Sequence, residues 1–66
     1  MVNRINGHLV RQRLGELGLE LAHVAILLGV KPETLSHYIR GHRSVPEGRL
    51  KVLAEVLKVI PEDLKL

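Results

Sequence analysis

A single all-α domain, a compact five-helix bundle without strands, is the architecture that this 66-residue chain predicts. Two observations carry that expectation. Apolar residues return at three- and four-residue intervals, as in Leu50, Leu53, Ala54 and Leu57, which is the period of a helix face and not of a strand. Between these segments, glycines stand where helices would end and prolines where helices would begin.

Asn3 or Asn6 can cap a first helix running to about Leu17, with Leu9, Val10, Leu14 and Leu17 on one side and Gly18 at its end. The second helix spans about Glu20 to Leu28 and the third about Pro32 to Arg40. Gly29 and Gly41 follow them, where a left-handed backbone is needed to turn the chain and glycine adopts it without steric cost. Pro32 suits a first helical position, since its missing N–H would have no partner there. Val24, Leu28, Val30, Leu35 and Tyr38, at spacings of four, two, five and three, fall on the inward faces of these two helices, and small Ala25 sits where the pair should approach most closely. After the loop 42–46, Pro46 opens a fourth helix with Gly48 in its first turn. Pro61 starts a short fifth, in which Glu62 and Asp63 complement the helix dipole.

Composition narrows the function. There is no cysteine, so a disulfide framework or thiolate zinc site is excluded and a cytoplasmic setting is expected. No segment approaches the roughly twenty apolar residues of a membrane span, and no basic face opposes a broad apolar one. One tyrosine, Tyr38, is the only aromatic residue, too little for stacking single-stranded bases. His8, His23, His37 and His42 include no i, i+4 pair, and no nucleophile stands at a recognisable spacing from a base. The expectation is accordingly neither an enzyme nor a metal protein, with no cofactor and no small-molecule ligand. A net charge of +3 suits nucleic acid without demanding it. Its distribution is more informative: Arg40, His42 and Arg43 cluster just after the third helix with no acidic neighbour in sequence, while Glu55, Glu62 and Asp63 lie near the other end.

From about Leu9 to Leu64 the chain resembles the phage repressor and Cro-like (lambda-repressor-like) helix-turn-helix DNA-binding family. The resemblance rests on Gly18-Leu19, on Ala25 with the LLGV of Leu27 to Val30, on Thr34 to Ser36, on Arg40-Gly41, and on the L..LA..L.V pattern of Leu50, Leu53, Ala54, Leu57 and Val59. It implies a transcriptional regulator whose third helix enters the major groove of double-stranded DNA. Pro32, Glu33, Ser36 and His37 then face base edges. Glu33 can accept from a cytosine amino group, His37 can donate to guanine, and Pro32 can touch a thymine methyl. Lys31, Thr34, Arg40, His42, Arg43 and Ser44 fall beside the sugar-phosphate chain, where most such contacts are made. A single module of this kind buries only about 600–1,000 Å², so a homodimer on two operator half-sites is expected. Val45, Ile60, Leu64 and Leu66 are the candidates for its interface.

The chain departs from the family at two places. Glu20 and Leu21 replace the usual Thr or Ser cap and the Gln after it, so a phosphate contact is lost and the second helix lacks a cap typically worth about 1 kcal/mol. Leu14 and Ile39 stand where many members pair Arg with Glu; both having become apolar, they are expected to touch. Leu21 and Ile26 are apolar on a face the family leaves polar. They keep open an alternative, a helix-turn-helix module whose main partner is another protein, such as an antitoxin holding its toxin.

Overall fold

In a computed structural model, residues 2–66 are described, in the order β1 (Val2–Asn3), α1 (Gly7–Leu17), α2 (Leu21–Leu28), α3 (Pro32–Arg40), β2 (Val45–Pro46), α4 (Glu47–Leu57) and α5 (Pro61–Leu64). The five helices fall where the apolar periodicity puts them. Asn6 is the cap of α1, its side-chain oxygen accepting from the Leu9 N–H at 3.2 Å. Glu20 makes no capping hydrogen bond to α2, in keeping with its poor cap chemistry.

Four helices end in the same way. The residue after the helix turns left-handed, its N–H returns to the carbonyl three residues back, and the next N–H reaches five residues back. Gly29 (φ 74°) does this for α2, with Gly29 bonding to Ile26 and Val30 to Ala25, and Gly41 (φ 79°) for α3, with Gly41 bonding to Tyr38 and His42 to His37. Gly18 serves α1 in that role, and Lys58, at φ 59°, serves α4 without being glycine. In three of these turns the second residue is apolar, Leu19, Val30 and Val59, and packs partly buried against the core. In α3 it is His42, which is exposed.

The core is the aliphatic cluster that the sequence implies. Val24, Ala25, Leu35, Leu50, Leu53 and Leu57 are completely enclosed, and Tyr38 lies among them. Burying a residue such as Leu35 stabilises the fold by about 1.5–3 kcal/mol. The α2 and α3 helices pack on each other, α1 against α3 and α4, and α4 against α5. Arg13 ties α1 to the end of α4 through a 3.0 Å bond from Nε to the Leu57 carbonyl, and also pairs with Glu16 at 2.6 Å. That pairing holds the Glu16 carboxyl below the ordinary carboxylate range.

Several expectations need correction. The chain is not free of strands: Val2 pairs with Pro46 and Asn3 with Val45, antiparallel, and a single bridge joins Ile5 to Lys65. Two-residue strands are too short to show any alternation, and Pro46 is tolerated in this edge pairing. Pro46 thus precedes α4 as its cap residue, with Glu47 first in the helix. Val45 and Leu64 are wholly buried and belong to the core, so neither offers a surface to a second copy. Ile60 and Leu66 remain exposed, at 60% and 85%. Leu21 packs against the core, whereas Ile26 and its neighbour Leu27 are exposed. The expected neighbours Leu14 and Ile39 lie in the same buried cluster, and Ile39 also comes close to α1 at Gly7, two turns before Leu14. A Cβ on Gly7 would overlap the Ile39 carbonyl oxygen.

Candidate nucleic-acid interface

Sequence periodicity divides α3 between core and solvent. Leu35, Tyr38 and Ile39 are buried, which pins the helix by one face. On the opposite side Lys31, Pro32 and Glu33 are exposed at the N-terminus and Arg40 at the C-terminus. Ser36 and His37, between them, are half-buried, as is Thr34 at the flank. Positions 33, 36, 37 and 40 share one helical face by their three- and four-residue steps. Glu33, Ser36 and His37, three of the four residues assigned to base reading, thus share one strip with Arg40 on a helix anchored from behind. Pro32 occupies the first turn, and the Lys31 backbone enters extended without a side-chain cap.

The phosphate candidates continue directly from this strip. The left-handed Gly41 swings the chain away, so that His42 and Arg43 are exposed beside the end of α3. His42, in the turn position where the other helices return an apolar residue, instead approaches His37. The two rings lie 5.7 Å apart between centroids and are tilted at 48°. The contact joins a base-reading candidate to a phosphate candidate. The described ion pairs are Arg13 with Glu16 and Lys65 with Glu47, so among the described residues no carboxylate neutralises Arg40, His42 or Arg43.

Ser44 is half-buried, and its hydroxyl accepts from Arg4 Nε at 3.4 Å. Arg4 also donates from Nη1 to the Gly41 carbonyl at 2.6 Å. Sequence reasoning missed this residue. No periodic or motif signal marks it, because it reaches the turn only through the pairing of β1 with β2, some forty positions away along the chain.

Comparison with known proteins agrees with this geometry: the family described as "Helix-turn-helix domain" matches residues 7–66, which takes in every element from α1 onward. The chain belongs to that family and is a DNA-binding helix-turn-helix domain of the lambda-repressor-like type. No curated protein and no solved structure matches it. Among the described residues, no helix is long and apolar enough to cross a membrane.

Proposed function

We propose that this protein is a sequence-specific transcriptional regulator of the Cro or phage-repressor kind, acting in the cytoplasm without catalysis of its own. It docks α3 in the major groove of duplex DNA, and the 40–44 turn follows the adjoining phosphates. The observation that carries this reading is the pair of arginines without a carboxylate partner, Arg40 and Arg43, with the donor His42 between them, immediately beside an outward-facing helix. A cationic surface with no acid of its own is suited to phosphate, while Pro32, Glu33, Ser36 and His37 present the apolar, acceptor and donor groups that distinguish base pairs.

The working form on DNA is a homodimer. The Cα trace extends at most 29 Å, shorter than the roughly 34–36 Å between half-sites one helical turn apart, so one copy reads one half-site. Ile60 and Leu66, the exposed members of the original interface set, are the residues through which two copies would meet.

Selecting bound fragments from random duplex DNA tests the reading, because dimeric recognition returns two inverted half-sites about 10 bp apart. A single unpaired half-site would remove the dimer, and no enrichment at all would remove sequence-specific binding. The second reading, a module whose main partner is a protein, draws on the exposed Ile26 (75%) and Leu27 (49%). Under the DNA reading, polar substitution of those two leaves the DNA shift intact while His37→Ala weakens it and relaxes its preference at one base position; the reverse pattern favours the protein partner.

A further inference from the structure

Arg4 stands outside every helix, yet its backbone is fixed on both sides. Asn3 before it pairs with Val45 and donates from its side chain to Glu47 at 2.9 Å. Ile5 after it is buried and bridged to Lys65, and the Leu66 N–H donates to the Arg4 carbonyl at 3.2 Å. From this anchored position the exposed guanidinium brackets the cationic turn, with one bond to the Gly41 carbonyl and one to the Ser44 hydroxyl. His42 and Arg43 are the residues between those two acceptors. A cation at the carbonyl end of α3 is favoured by the helix dipole, and this accounts for the Gly41 contact.

The dipole does not account for the rest of the guanidinium. Arginine carries five N–H donors in a rigid fork, and only two are engaged here. The others are on an exposed side chain that adds a further positive group to Arg40 and Arg43, with no carboxylate paired to any of them among the described residues. Gathering like charges is unfavourable unless an anion meets them, and a planar fork with free donors matches a phosphate. Resting on the DNA reading above, we infer that Arg4 is both the strut that holds the 41–44 turn and an additional phosphate contact, so that the N-terminal segment closes the DNA-backbone surface. Arg4 carries no base selectivity in this role.

The test is the salt dependence of duplex binding for the whole chain and for Arg4→Ala and Arg4→Lys, each checked by thermal melting to be folded at the assay temperature. Each phosphate contact contributes about −0.9 to the slope of log K against log salt. Arg4→Ala therefore loses about one unit of slope, and its affinity deficit shrinks about 3.5-fold between 50 and 200 mM salt. Arg4→Lys keeps the charge and the slope but binds more weakly, because an ammonium cannot span Gly41 and Ser44 at once. Wild-type binding with an unchanged slope in Arg4→Ala would overturn the phosphate contact and leave only the strut. If the wild type binds no duplex at low salt, the DNA reading itself fails, and this inference with it.

Discussion

His37 is half-buried on a helix anchored from behind, and its ring lies 5.7 Å from that of His42. His37→Ala is expected to cost on the order of 1–3 kcal/mol on the preferred operator and to relax preference at one base position, as read from titrations of a panel of single-substitution duplexes. Lys58 gives a prediction of a different kind. It holds a left-handed conformation that is unfavourable by roughly 1–2 kcal/mol in a residue with a Cβ, against about 0.4–1 kcal/mol of unfolded-state entropy that glycine would add. Lys58→Gly should therefore stabilise the fold by up to about 1.5 kcal/mol in urea denaturation. The inward positions Leu35 and Tyr38 were legible from helical period, and the outward Lys31, Pro32, Glu33 and Arg40 from the family resemblance. The fate of Val45 and Leu64 was not, because an apolar residue outside a long periodic segment gives no local sign of whether it closes a core or presents a surface.

Among the elements, α3 is distinguished by how it ends. The turns after α1, α2 and α4 send Leu19, Val30 and Val59 back toward the core, which locks each helix end by apolar contact. The turn after α3 leaves His42 outside, and the lock is supplied instead by Arg4 on Gly41 and Ser44. A polar turn fastened by an arginine keeps its cations available while remaining fixed. The α1–α3 contact has a similarly local origin, since Gly7 allows the Ile39 backbone to come close where any Cβ would collide with its carbonyl oxygen. Gly7→Ala is expected to destabilise the protein by about 1–3 kcal/mol, the usual range for overpacking, and a melting temperature equal to that of the wild type would show that the helices separate freely. Helix positions were legible because period, glycine and proline agreed at each. The strand pair was not, since its information lies in long-range contact and not in two residues of pattern.

At the scale of the whole molecule, both ends of the described chain meet beside the turn after α3: β1 pairs next to it, and Leu66 donates to the Arg4 carbonyl. The fold therefore couples the order of its ends to the order of the surface proposed to meet DNA. The cluster after α3 without acidic neighbours was compatible with a nucleic-acid partner, the helix-turn-helix resemblance named duplex DNA, and the family match agrees with a DNA-binding domain. Of the four residues offered for a dimer surface, Val45 and Leu64 are core. If Ile60 lies in that surface, Ile60→Asp should reduce the apparent mass in sedimentation and lower operator affinity while leaving binding to a single half-site unchanged; an unchanged mass would remove Ile60 from the interface.

The central claim, that α3 and its exit turn lie along duplex DNA, is tested most directly by measuring log K against log salt for the wild type and Arg43→Ala, on the selected operator and on unrelated duplex. A steep negative slope in the wild type, made shallower by about one in Arg43→Ala on both sequences alike, is the result expected of a phosphate-clamping turn. An altered choice of sequence at unchanged slope, or the absence of binding to any duplex at low ionic strength, would contradict it.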